Sequence, residues 1–575
     1  MNFKSELAEI LTKILSAMCA EAGREPLAVA AADLESPPSP DMGDYAFPCF
    51  KLSKALRKPP QAIAADMAER VAPGGFIDSA AAAGPYVNVF VNKAALAEAV
   101  LAECLTKGMD YGRSDIGRGR NIVIDYSSPN IAKLFHVGHL CTTVIGGALY
   151  KILEFIGYNC IGINHLGDWG TQFGKMMAAY AHWGDREEVE REDVVALNRL
   201  YVRFHKEAEA DPALNDEARA WFLKMQNGDE EALGLWRWFC EISMRELERI
   251  YKRLNVSFDS YDGESFFNDK MDAVVEELRQ KGLLKISNGA SIVDLSDYNM
   301  PPCLILRSDG GTLYPTRDLA AAIYRKKTYD FHKYMIVTAM DQKLHFAQFF
   351  KVLELMGYDW AKDCLHIPYG LVMLQGGVKF STRNDNAILM EDLLDEAARK
   401  TLELINEKNP ELPDKERVAE QVGIGAMIFN DLYNTRINNV TFSWEHMLNF
   451  DGETGPYVQY THARAQSVLT KAGVSAADPA GVDFGRLTDD ASVQVIKVLQ
   501  SFPDKILEAA NKYEPFVLTR HVVALAQAFN RFYHENAILS APQDVKNARL
   551  AVTLCTRNAL KSGLALLGIA APEQM

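Results

Sequence analysis

Two short stretches of the chain hold residues whose types and spacing suit phosphate chemistry. The first is SSPNIAKLFHVGH, Ser127 to His139, in which His136 and His139 stand around a Val137-Gly138 step with Lys133 three residues ahead. Imidazole N–H groups can donate to phosphate oxygens, and Gly138 leaves backbone space for a nucleotide to approach. The second is GGVKFSTR, Gly376 to Arg383, where Lys379, Ser381 and Arg383 follow a glycine pair. A glycine-hinged loop of that kind can close over a triphosphate and neutralise the charge that builds up as pyrophosphate leaves. Both stretches also have plain structural readings. With twelve histidines in the chain an i, i+3 pair is commonplace, and a basic loop is often only solvated. Two histidines can ligate zinc, but the Glu and third ligand of a metalloprotease helix are missing here, so no metal site is expected.

The elements around these stretches decide between the readings. NIVIDYSS, Asn121 to Ser128, is a short β-rich apolar run. A helical pattern from Gly138 to Gly157 comes next, and then NCIGINHLGDWG. Strand, helix, strand in that order predicts a right-handed βαβ unit of a parallel sheet. The first stretch then lies at the carboxyl edge of that sheet, where open α/β folds bind ligands, and feeds a helix N-terminus. Residues from about 180 to 300 read as a charged helical insertion, whose acidic run of Asp185, Glu187, Glu188, Glu190, Glu192 and Asp193 suits a solvated helix face. Sheet-like segments resume with CLILRSDGGTLYPTRDLA, YMIVTAMDQ and CLHIPYGLVML, after which GGVKFSTR precedes the helical DLLDEAARK.

The expected fold class is α/β. It comprises a Rossmann-type parallel-sheet domain with an inserted helical segment, a small N-terminal α/β domain and a C-terminal all-α bundle. The expected borders are 1–112, 113–400 with the insertion at about 180–300, a helical connector at 401–454, and 455–575. The Gly- and Arg-rich YGRSDIGRGR, Tyr111 to Arg120, reads as a linker closing the first unit. At 575 residues the chain is too long for one core, and its nine cysteines form no Cys-x-x-Cys pair, which suits a reducing compartment. Phe3, Leu7, Ile10, Leu11, Ile14, Leu15 and Met18 form an apolar stripe broken by Glu6, Glu9 and Lys13 at helical spacing, unlike a secretory segment. No apolar run reaches bilayer length, so the expected location is the cytoplasm. The net charge of −15 argues against a polyanionic partner unless cations gather locally, as Lys51, Lys54, Arg57 and Lys58 do.

Taken together and in this order, the two stretches resemble the signatures of class I aminoacyl-tRNA synthetases, HVGH matching the HIGH element and KFSTR the KMSKS element. SSPNIAKLFHVGHL, NHLGDWGTQFG, LYPTRDLA, DQKLHFAQFF, GPYVQYTHARAQSVL and the closing LALLGIAAPEQM narrow the resemblance to the arginyl-tRNA synthetases, from about residue 30 onward. One departure stands out: Thr382 occupies the fourth position of KFSTR, where KMSKS has a lysine. Many arginine enzymes with that departure carry a lysine just ahead of the HIGH element, and Lys133 fills that place and can supply the missing charge.

The resemblance implies an ATP-dependent ligase joining arginine to its tRNA, with Mg²⁺ accompanying ATP, no organic cofactor, no membrane partner and a monomeric state. It implies ATP contacts from His136, Gly138, His139, Lys379 and Ser381, with Lys133 and Arg383 beside them. It further implies arginine contacts from Ser128, Pro129, Asn130, His139, Tyr314, Asp318 and Gln342. Asp318 is the favoured carboxylate for the guanidinium, Asp125 a second candidate, and Asn130 and Gln342 suit the ammonium and carboxylate end. The rival role for Asp318 is capping the helix DLAAAIYRK. Arginine's charge and shape make a separate editing domain unnecessary. In the C-terminal bundle Tyr457 and Tyr460, with Arg464 a turn on, can stack against tRNA bases, core packing being the other reading. A small nucleotidylyltransferase and a binding protein that kept the fold without catalysis are the rivals for the whole chain.

Overall fold

The computed structural model describes residues 3–35, 37–39, 42–308, 310–373 and 389–575. The chain forms two compact units. The first comprises residues 1–111, 464–502 and 524–559, and the second 112–463, 503–523 and 560–575.

In the first unit the apolar stripe of helix Phe3–Glu21 is realised as a packed face, with Phe3, Leu7, Leu11, Leu15 and Met18 all buried. Strands β1 (Tyr45–Pro48), β2 (Ile77–Ala83) and β3 (Tyr86–Val91) form an antiparallel sheet in the order β1-β3-β2. Lys51, Lys54, Arg57 and Lys58 are all exposed, as a surface cation cluster must be. Helix Lys93–Lys107 is capped by Asn92, whose side chain accepts from the Ala95 amide at 3.0 Å.

The second unit is built on strands β4 (Asn121–Asp125) and β5 (Asn159–Ile163), joined by helix Leu140–Phe155. Further along come β6 (Leu284–Ser287), β7 (Ala290–Val293), β8 (Cys303–Leu306), β9 (Lys333–Ala339), β10 (Cys364–Tyr369), β11 (Val372–Met373) and β12 (Val440–Thr441). β10, β9, β4 and β5 lie side by side in that order, all parallel. The chain leaves β4 for β5 on one side and returns to β9 on the other. The strand order therefore reverses between β4 and β9, and such a switch point opens a crevice beyond the carboxyl ends of both strands.

The insertion is helical, with Arg186–Ala210, Ala213–Gln226, Glu230–Arg253 and Met271–Gln280. Its acidic run does more than face water: Arg245 bridges Glu190 and Asp193 at 3.1 and 3.0 Å, and Arg249 reaches Asp193 at 3.1 Å. Two segments differ from expectation. CLIL is β8 of a separate antiparallel sheet, β6-β7-β8, and not part of the parallel one. Its burial alternates, Cys303 and Ile305 inside and Leu304 out, as a strand with one wet face requires, whereas the parallel strands carry continuous buried runs such as Ile122 to Asp125. LYPTRDLA opens a helix, Tyr314–Tyr329, because Pro315 suits the first turn, where its missing N–H costs nothing. Tyr111 to Arg120 is a packed turn: the Gly119 amide donates to Gly157 O at 2.8 Å, and a Cβ on Gly117 would lie 2.2 Å from the Tyr158 nitrogen.

Candidate active site

The loop leaving β4 is held in an unusual backbone shape. Ser127, Ser128 and Ala132 have φ of 70°, 48° and 59°, a region L-residues enter only where their surroundings enforce it. The surroundings do so through hydrogen bonds. The Ser127 amide donates to Thr142 Oγ1 at 3.0 Å and the Ser128 amide to Asn164 Oδ1 at 3.1 Å. Ser128 Oγ donates to Asp125 Oδ1 at 2.8 Å, and the Gly167 amide donates to Pro129 O at 3.0 Å. A Cβ on Gly167 would sit 2.2 Å from Asn130 Oδ1, so the absent side chain is what lets Asn130 lie there, its residue still exposed to solvent.

The two histidines form a pair of defined tautomer. His136 Nδ1 accepts from the Gly138 amide at 3.0 Å, and His139 Nδ1 accepts from the His136 amide at 3.2 Å. A backbone N–H can only donate, so neither Nδ1 carries a proton and each neutral ring bears its hydrogen on Nε2. Burial holds both rings below the ordinary histidine value, and His139, further opposed by His136, falls to about 3. Near neutral pH the pair is therefore two uncharged Nε2–H donors, their ring centroids 4.0 Å apart. Gly138 serves this arrangement directly. A Cβ there would lie 2.7 Å from His136 Cε1, so the glycine makes room for the folded-back imidazole rather than for a nucleotide alone.

Lys133 is exposed, its ammonium 6.0 Å from the centre of the Tyr201 ring. Desolvation by the loop wall, then repulsion from Lys175, holds it below the usual lysine value. Lys379, Ser381 and Arg383 lie outside the described residues, in the stretch 374–388. Immediately beyond that stretch, Leu389, six residues after Arg383 in the chain, pairs its backbone with His136, and the Met390 amide donates to Phe135 O at 2.9 Å.

Of the residues expected to meet arginine, Asp318 sits on the second turn of helix Tyr314–Tyr329 and accepts from His345 Nε2 at 2.7 Å. That position excludes the capping role, since the helix begins four residues earlier. Tyr314 is exposed with its ring 4.8 Å from that of His345, and Gln342 is exposed at the turn after β9. Asp125, the second carboxylate, is committed elsewhere. The buried Arg325 guanidinium donates to its Oδ2 at 2.6 Å and also reaches His165 Nδ1 at 3.2 Å. Tyr334 completes the group with its hydroxyl 3.3 Å from the same carboxylate oxygen. A lysine offers one point charge where this fork serves three partners, so Arg325→Lys should cost about 1–2 kcal/mol of stability. An unchanged urea midpoint would contradict that assignment.

His165, His345 and Glu264 carry no local mark in the sequence that sets them apart. Burial, ahead of the opposing pull of Arg317 and the repulsion of Asp318, pushes Glu264 up to about 7, and it pairs with Arg317 at 3.1 Å. Arg325 did carry a signal, being a cation on the same face as the buried Ala321 and Ala322. In the helical part Tyr457 is half-buried and Tyr460 is 39% exposed. Arg464 is engaged by Asn530 and lies 5.2 Å from the Tyr533 ring centre.

Residues 100–444 match the family described as tRNA synthetases class I (R), catalytic domain. Residues 458–575 match the DALR anticodon binding domain, and 4–91 the arginyl tRNA synthetase N terminal domain. The chain is 54% identical over 542 residues to the arginine–tRNA ligase of Alkaliphilus metalliredigens, covering 94% of this chain and 95% of the relative. It is 49% identical to that of Clostridium beijerinckii with both chains fully covered. The solved arginyl-tRNA synthetase of Thermus thermophilus superposes with a TM-score of 0.80 at 27% identity, over 99% of this chain and all of its own. The fold is shared by the enzyme of Plasmodium falciparum, with a TM-score of 0.79 at 22% identity over 99% of each chain.

Proposed function

The chain belongs to the arginyl-tRNA synthetase family, and from that premise we propose how its residues divide the work of an arginine–tRNA ligase. ATP and arginine bind side by side beyond the carboxyl ends of β4 and β9. The arginine carboxylate attacks the α-phosphorus in line, the bond to the bridging oxygen breaks, and pyrophosphate leaves. A terminal ribose hydroxyl of the tRNA then takes the arginyl group and AMP departs. Positioning and charge stabilisation carry the first step, without a protein nucleophile.

The Nε2–H groups of His136 and His139 donate to phosphate oxygens as neutral donors, while Lys133, Lys379 and Arg383 supply the positive charge, with Ser381 beside them. Asp318 receives the guanidinium, flanked by Tyr314. Asn130 and Gln342, with Ser128 and Pro129 shaping the wall, hold the ammonium and carboxylate end. Mg²⁺ accompanies ATP as a counterion of its phosphates. Tyr457, Tyr460 and Arg464 contact tRNA; along the chain, the functional regions are catalytic at 113–400, a connector at 401–454 and anticodon-binding at 455–575. The enzyme acts as a monomer in the cytoplasm, and no helix among the described residues is long and apolar enough to cross a membrane.

The observation that carries this reading is the junction of Leu389 with His136, which brings the backbone six residues past Arg383 against the histidine segment. The test is charging of a total tRNA pool with each of the twenty amino acids in turn. Arginine alone should be esterified, and a different amino acid, or none, would overturn the proposal.

A further inference from the structure

Helix Glu230–Arg253, part of the insertion, reaches into the loop that leaves β4 at three points. Ser243 Oγ accepts from the Ala132 amide at 3.0 Å while donating to Phe239 O at 2.8 Å. One turn further, the Glu246 carboxyl faces the Phe135 backbone, which favours its charged form against the effect of burial. Beyond that, the Tyr251 hydroxyl meets Ser127 Oγ at 2.8 Å and accepts from Asn164 Nδ2 at 3.0 Å. The backbone groups that Ser243 and Glu246 meet, at Ala132 and Phe135, bracket Lys133 and Leu134, and Ser243 and Glu246 are buried, 3% and 7% exposed. Ala132, the first of the held residues, is also one of the three non-glycine residues at positive φ in this loop, a conformation that needs outside enforcement. From the other side the Met390 amide donates to Phe135 O at 2.9 Å, so Phe135 is fixed through its carbonyl while its backbone also faces Glu246.

We propose that Ser243 and Glu246 are positioning residues for arginine activation, holding the backbone on either side of Lys133 so that its ammonium and the histidine pair meet the triphosphate in register. The proposal rests on Lys133 serving as a cation for the triphosphate. The groups facing Glu246 are Glu391 from helix Met390–Lys408, Asp193 from helix Arg186–Ala210, and Arg249 from its own helix, which bridges the other two at 3.5 and 3.1 Å. Burial, and then the Glu391 charge, push the Glu246 carboxyl up to about 7. A neutral side chain is thus a native form of this residue near neutral pH, and glutamine offers the same carbonyl acceptor to Phe135. Leucine offers none.

The experiment is ATP–pyrophosphate exchange by the full chain with arginine and tRNA, comparing wild type with Glu246→Leu, Glu246→Gln, Ser243→Ala and Lys133→Ala. Because a misplacement of ~1 Å can cost 10²-fold, Glu246→Leu should lower kcat by about tenfold or more with both KM values within about twofold. Glu246→Gln should restore kcat to within about threefold, which mere loss of packing would not predict. Ser243→Ala, a smaller change that carries the same test if the leucine variant does not fold, should also lower kcat and spare KM. Wild-type kcat in both Glu246→Leu and Ser243→Ala would overturn the proposal, as would a glutamine variant as slow as the leucine one. The two readings fail separately. Silence of Lys133→Ala removes the role of Lys133, whereas a slow Lys133→Ala beside unaffected Ser243 and Glu246 variants removes only the brace.

Discussion

Lys133→Ala should slow ATP–pyrophosphate exchange by about 10²–10³-fold, the size of effect seen when one preorganised donor is taken from a developing anion, while leaving the KM for arginine near its wild-type value. The reasoning begins with Thr382, which leaves the KFSTR segment one cation short of the KMSKS pattern. The histidines cannot make up the deficit, because their Nδ1 atoms accept backbone hydrogen bonds and burial keeps both rings uncharged near neutral pH. Positive charge at the head of the loop must therefore come from Lys133, which is exposed and three residues before His136. Since Lys133 is assigned to the triphosphate and not to the arginine side chain, its removal should fall on kcat. Exchange at the wild-type rate in the variant would remove the idea.

Asp318→Ala should raise the KM for arginine by about 10²-fold or more, the worth of a charge-assisted hydrogen bond made to a guanidinium at a partly buried site. Two carboxylates compete for this role in the sequence, and their surroundings separate them. Asp125 is already neutralised by Arg325 and further bonded to Ser128 and Tyr334, so a second guanidinium there would have to displace a buried partner. Asp318 keeps part of its surface open, one oxygen steadied by His345 and the other without a hydrogen-bond donor among the described residues. The fork of a guanidinium fits that geometry, whereas a lysine ammonium or a neutral isostere would leave an acceptor unpaired. Steady-state exchange kinetics decide the matter, and an unchanged KM would sink the assignment.

Much of this molecule could be read from the chain because its strongest signals are local. The parallel strands Asn121–Asp125 and Asn159–Ile163 and the helix between them arise from continuous apolar runs and a 3.6-residue period. The short run CLIL carries no local mark that assigns it to one sheet or another, and only its alternating burial separates it from the parallel strands. The partners that tune the site are long-range, and this is why they escaped notice. Arg325 lies two hundred positions from Asp125, and Glu246 more than a hundred from the Phe135 backbone it faces. Gly138 is hidden for another reason: its neighbour His136 is only two residues away, but the fold-back of that ring over the glycine shows only in the folded loop.

The most direct measurement is a crystal structure of the chain with a non-hydrolysable arginyl-adenylate analogue. The guanidinium should then lie within hydrogen-bonding reach of Asp318, and the phosphate mimic should face the Nε2 atoms of His136 and His139 with Lys133 turned toward it. A guanidinium bound away from Asp318, or a phosphate mimic with neither the histidines nor Lys133 beside it, would contradict this assignment.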